Sequence, residues 1–146
     1  HYKHKFIILN IKSERIEHKV LNLIKKYRVK NYFFLDCSFP MIVALSKMGE
    51  KNIAIRYSEL EPLVGAEKAK KMVKWLWIDC FSKLPLDKRI YKKIKATGLK
   101  TCLVSPELQG RQEDVEKYSK LIKKYGINFN AICTKLYNVD KWGRYK

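Results

Sequence analysis

Trp75-Leu76-Trp77-Ile78-Asp79 is the stretch on which the fold turns. Four apolar residues stand in unbroken succession, and a carboxylate follows them. A strand with one wet face would alternate apolar and polar side chains. An unbroken run this short reads as a parallel strand covered on both faces. Outward in both directions the unit recurs: a short apolar run, a polar or charged end, then a helical pattern. The other runs are Phe6–Ile11, Tyr32–Leu35, Ile53–Ile55, Thr101–Val104 and Asn130–Cys133. Between them, Ile16, Val20, Leu21, Leu23 and Ile24 recur at helical spacing, and Pro40 opens a helix ending near Gly49. Residues 64–73, 87–96 and 112–125 complete the helical set, with Gly98 and Gly126 as stops. The order predicts an α/β domain of about six βα units over residues 1–146, either TIM-barrel-like but incomplete or an open doubly wound sheet. No Gly-x-Gly-x-x-Gly follows any run, which weighs against a dinucleotide fold.

The bulk composition bounds what the domain does. Of 146 residues, 47% are hydrophobic, enough for a packed core. No run approaches the roughly 18 uncharged apolar residues that span a bilayer. Phe6–Leu9 is too short for a signal sequence core, so a cytoplasmic protein without a leader is expected. Cys37, Cys80, Cys102 and Cys133 are far apart and sit in or beside the apolar runs, which predicts buried free thiols in a reducing compartment. A zinc site would need closer ligand pairs. The net charge of +18 comes mostly from lysine. It admits anionic partners, nucleic acid among them, but no clustered basic motif or base-reading module is visible.

In parallel α/β folds, chemistry gathers at the carboxyl ends of the strands. Those ends carry Asn10, Lys12, Asp36, Arg56, Glu59, Asp79, Glu107 and Lys135. Carboxylates there suit a hard cation such as Mg²⁺ or Ca²⁺, and Lys12, Arg56 and Lys135 suit a phosphate. The plainer expectation is that Asp36 and Asp79 cap helices or pair with Lys12 and Arg56, and that Glu14 and Glu61 open helices. His18 reads as an exposed helical residue, and His1 and His4 precede the first strand, at the wrong end for catalysis in this architecture. No histidine-based acid or base emerges.

The strand ends also resemble those of a known family. Leu9-Asn10-Ile11-Lys12 resembles the Glu-x-Lys strand of the glycerophosphodiester phosphodiesterases, which are TIM barrels of the phospholipase-C-like group. Leu35-Asp36-Cys37-Ser38-Phe39 resembles that family's Ser-Phe strand. Cys102-Leu103-Val104-Ser105 stands where the family has Trp-Thr-Val-Asn, and Asn130 to Lys135 resembles its closing Gly-Ile-Ile-Thr-Asp strand. A divergent bacterial branch with Asn-Ile-Lys-Ser, Phe-x-Asp-x-Ser and Arg-x-Ser-Glu-x-Glu strands looks closer still. The resemblance implies a metal-dependent hydrolase, or a ligand-binding domain, for phosphorylated glycerol or sugar compounds. Lys12 and Asp36 would be its catalytic positions. Asn10, Arg56, Glu59, Asp79, Glu107 and Lys135 would bind substrate. The family's His-Arg-Gly and Glu-x-Asp are absent, and Asn10 replaces a metal-binding Glu. By this alignment the chain begins at the third barrel strand. A non-catalytic binding protein on the same fold is the alternative, and a basic nucleic-acid-binding protein is a further one.

Overall fold

The computed structural model describes residues 5–13 and 15–143. Six strands alternate with helices: β1 (Ile7–Asn10), α1 (Glu17–Lys26), β2 (Tyr32–Leu35), α2 (Phe39–Lys47), β3 (Ala54–Tyr57), α3 (Val64–Ala69), β4 (Trp75–Ile78), α4 (Lys88–Thr97), β5 (Lys100–Val104), α5 (Asp114–Tyr125), β6 (Ala131–Cys133) and α6 (Val139–Gly143). Short 3₁₀ turns cover Pro106–Gln109 and Leu136–Asn138. All strand pairs are parallel and follow chain order. β1 pairs with β2, and β3 to β6 form a second ladder. A single bridge, Phe34 to Ile53, joins the two, held by the Phe34 amide donating to the Asn52 carbonyl at 2.8 Å.

Period-two geometry sorts the strand residues onto two faces. On one face Leu76, Ile78, Phe34, Ile53 and Leu103 join the large core. Every helix sends its buried apolar side chains to that same core, among them Leu21, Ile42, Ala66, Ile94, Val115 and Trp142. On the other face Phe33, Leu35, Ala54, Trp75, Trp77, Cys102 and Val104 pack on one another. Phe33 meets Trp75 at 5.0 Å between ring centroids, and Phe6 meets Trp75 at 5.3 Å. The apolar runs are unbroken because both faces are covered, as the Trp75–Ile78 stretch predicts.

Two expectations are corrected. Strand order never reverses and the helices occupy one face, which is not a doubly wound arrangement. Among the described residues no closed barrel forms, and none is expected from about six βα units. The ladder narrows to one bridge between β2 and β3, and β1 and β6 remain unpaired edges. The helix expected over 64–73 ends at Ala69. The chain turns there because Val73 must enter the core while Lys74 begins the next strand segment. The helix expected over 87–96 keeps its stop signals. The Asp87 side chain accepts from the Ile90 amide at 2.7 Å, and Gly98 closes the helix at φ 74°, a left-handed conformation open to glycine. All four cysteines are free, with Cys80 and Cys102 buried. Among the described residues no helix is long and apolar enough to cross a membrane.

Candidate functional site

Inward-facing positions on β3 and β4 build the site. Arg56 stands in register with Trp77, and the next inward position on the β4 segment is Asp79. The same alternation that buries Trp75 and Trp77 therefore places a guanidinium and a carboxylate directly above them. Asp36 follows β2 with φ 63°, a left-handed conformation in which aspartate is tolerated better than most residues. The ion pairs to Lys12 and Arg56 accompany that unusual backbone.

A continuous network results. The Lys12 ammonium donates to Asp36 Oδ2 at 2.6 Å, and the Arg56 guanidinium donates to Asp36 Oδ1. Arg56 also reaches Asp79 Oδ2 at 3.2 Å and lies 3.7 Å from Glu61. Asp79 accepts three more bonds, from Gln109 Nε2 at 2.8 Å, the Trp77 indole at 3.3 Å and the Cys80 amide at 3.0 Å. The ends of four successive strand segments are thus linked, with Arg56 at the centre. Depth differs sharply: the Asp79 side chain is 4% exposed and that of Lys12 is 71% exposed.

Glu107 anchors a second network over β5 and β6. It accepts from the Ser105 hydroxyl, from Thr134 Oγ1 at 2.5 Å and from the Lys135 amide at 2.9 Å. The Trp142 indole donates to Ser105 Oγ at 2.8 Å, so α6 locks this end. Glu59 takes a third role. It gathers the amides of Phe81, Ser82 and Lys83 and the Ser82 hydroxyl, and so shapes the turn after β4.

These contacts set the titration behaviour. Burial pushes the Asp36 carboxyl up, but bonds and charge from Lys12 and Arg56 outweigh it and hold the group below its ordinary 3.8. Burial likewise raises Glu59 and Glu107, and the hydrogen bonds they accept bring both below the usual 4.5. Burial pushes the Cys37 and Cys80 thiols up to about 12, so neither offers a thiolate near neutral pH.

Eight residues were expected at the strand ends, and the structure does not gather them into one cavity. Asp36 lies between two clefts. One, of about 310 Å³, is shared with Arg56, Cys37 and Glu61; the other, of about 240 Å³, with Lys12, Ser13, Glu17 and Ser38. Glu59 lines a separate cleft with Tyr57 and Lys83. Asn10 is exposed at the end of β1, and Lys135 meets Glu107 through its backbone while remaining exposed itself. Glu61 does not open a helix; it accepts from the Ser58 hydroxyl and flanks Arg56. His18 is exposed on α1, while His1, His4 and Glu14 lie outside the described residues. The expected Mg²⁺ or Ca²⁺ would have to compete with protein donors for these carboxylates. Asp36, Glu59, Asp79 and Glu107 already accept from protein donors, and no three metal-ligating side chains converge among the described residues.

Gln109 and Trp142 enter these networks without having been singled out from the sequence, where Trp77 and Ser105 read only as strand and strand-end residues. Their apolar or turn contexts carried no signal of it. Glu17 is the largest omission. It looks like an ordinary first-turn acid of α1, yet it is 2% exposed and its Oε2 has no hydrogen-bond partner. In comparisons with known proteins, no family, no curated protein and no solved structure matches this chain.

Proposed function

We propose that the strand-end rim binds the anionic portion of a phosphorylated glycerol or sugar compound, on a section of a phosphodiesterase-type TIM-barrel wall. The observation that carries the reading is the Lys12–Asp36–Arg56–Asp79 chain. It fixes an exposed ammonium at the mouth while Arg56 is held in place beneath. Sequential parallel strands with helices on one face agree with a barrel wall, and the likeness of the strand ends to the glycerophosphodiester phosphodiesterases supplies the ligand class. Lys12 is the principal ligand contact in this reading, and Arg56 positions Asp36 so that Lys12 stays aimed across the rim.

Binding without hydrolysis is the form of this reading that the electrostatics favour. A general acid needs a carboxyl whose pKa is raised toward the working pH. Asp36, Glu59 and Glu107 are all shifted the other way. Calorimetric titration with glycerol phosphate and with a glycerophosphodiester tests the proposal. Binding is expected, weakened about tenfold in Lys12→Ala, the scale of one charge-assisted contact. Absence of binding, or unchanged binding in Lys12→Ala, sinks the ligand assignment. Release of product with Mg²⁺ or Ca²⁺ present would restore the hydrolase.

A further inference from the structure

The opposite end of the sheet, where the strands begin, carries a different surface. There a groove of about 480 Å³ is lined by Lys51, Lys70, Lys71, Lys74 and Lys100 over a floor of Val73, Thr97 and Leu99. All five lysines are exposed, and no carboxylate lines the groove. Among the described residues none of the five forms an ion pair. Their partners are neutral: Lys74 Nζ donates to Asn52 Oδ1 at 3.4 Å, and Lys100 lies 5.6 Å over the Trp75 ring.

Helix dipoles explain part of this. Lys70 caps α3 and Lys71 follows it, where cations are favoured. They do not explain Lys51, Lys74 and Lys100, which precede or open three successive strands. The Lys100 amide donates to the Lys74 carbonyl at 2.9 Å, and the Lys74 amide to the Ile53 carbonyl at 3.3 Å, so these strand starts lie side by side. Neighbouring strands are about 4.8 Å apart, so Lys74 and Lys100 stand side by side, and Lys51, which precedes Ile53, lines the same groove. Unneutralised like charges lining one groove repel one another, and an anion laid along it removes that cost.

We propose that this groove binds the sugar-phosphate backbone of a single-stranded nucleic acid, independently of the ligand at the strand-end rim. A linear chain of phosphates follows a groove lined by cations. The concave shape fits a strand better than a flat lipid surface. Lysine alone, with no stacking aromatic or arginine fork in the groove, gives contact with phosphates and no reading of bases.

The probe is a labelled single-stranded oligothymidylate of about 20 nucleotides, long enough to exceed a typical single site. Five neutralised phosphates predict about a hundredfold loss of affinity between about 50 and 200 mM salt. Replacing Lys51, Lys71 and Lys74 together by Ala should cut that loss to below about tenfold. Replacing Lys19, Lys88 and Lys117 by Ala removes the same net charge elsewhere and should leave the salt dependence near that of the unaltered protein. Circular dichroism confirms that both variants are folded. Three results overturn the proposal: no binding at about 50 mM salt, where the electrostatic contribution is strongest; equal effects of the two triple variants; or binding to phosphatidylserine vesicles without binding to the oligonucleotide.

Discussion

The rim over β2, β3 and β4 and the rim over β5 and β6 both hold buried or half-buried carboxylates, and they satisfy them by different means. Asp36 and Asp79 share one guanidinium, so each depends on the other's partner. Glu107 takes two hydroxyls and an amide, from the ends of β5 and β6. The first arrangement routes its charge compensation through one shared guanidinium, with neutral donors to Asp79 and Lys12 at Asp36 as secondary support. The second distributes the same task over several neutral donors, none of them indispensable. Charge concentrated on Arg56 ties four strand ends together, while neutral donors at Glu107 join the ends of β5 and β6.

Arg56→Ala should therefore have the largest effect. It leaves Asp79, whose side chain is 4% exposed, with neutral donors and no cation, and releases Asp36 from its deeper contact. Removing one member of a buried pair costs about 3–5 kcal/mol, and Arg56, at 26% exposure, should fall near the lower end. Denaturant unfolding measures it. Glu107→Ala should cost about 1–3 kcal/mol, because Ser105 keeps the Trp142 indole as a partner. A larger loss for Glu107→Ala than for Arg56→Ala would break the contrast between the two rims.

Acid titration sharpens the contrast. Asp36 and Glu107 both have folded values below their ordinary ones. The stability they confer is complete above the unfolded values, near 3.8 and 4.5, and is lost as pH falls through the lowered folded values. Asp36→Asn should remove the charged rim's share of this acid sensitivity and Glu107→Gln the neutral rim's share. Unfolding curves between about pH 2 and 6, which bracket the ordinary carboxylate range, separate them. An unchanged acid slope in both variants would remove these carboxylates from the explanation.

Much of the fold is legible in the sequence because parallel strands covered on both faces write themselves as unbroken runs such as Trp75–Ile78. The pairing of Asp36 and Asp79 with Lys12 and Arg56 is also legible, since parallel topology brings strand ends together whatever lies between them. Other features are not. Where the sheet narrows depends on curvature summed over all its strands, and the narrowing at Phe34 and Ile53 has no local marker. Trp142 has no sequence signal of its role, which emerges only when α6 packs on the core and its indole reaches Ser105. Glu17 has the ordinary pattern of an exposed first-turn acid, and only tertiary packing puts its carboxylate out of water. The lysines at residues 51, 74 and 100 are more than 20 positions apart and look scattered in the chain. Adjacent strand starts collect them into one groove.

Lys12→Ala should be the mildest change to stability, although Lys12 belongs to the more fragile rim. Its side chain is 71% exposed, so its bond to Asp36 is largely screened by water. Exposed pairs of this kind contribute about 0–1 kcal/mol. Asp36 also keeps Arg56, which holds it from the buried side. Thermal unfolding of Lys12→Ala should nearly overlay that of the unaltered protein, with any difference shrinking as salt is added. A loss comparable to Arg56→Ala would mean that the network fails from its outer end, with Arg56 no longer its centre. The small expected effect also matters for function. An ammonium that adds little to folding yet stays fixed at the mouth by a carboxylate is free to be judged by ligand binding alone.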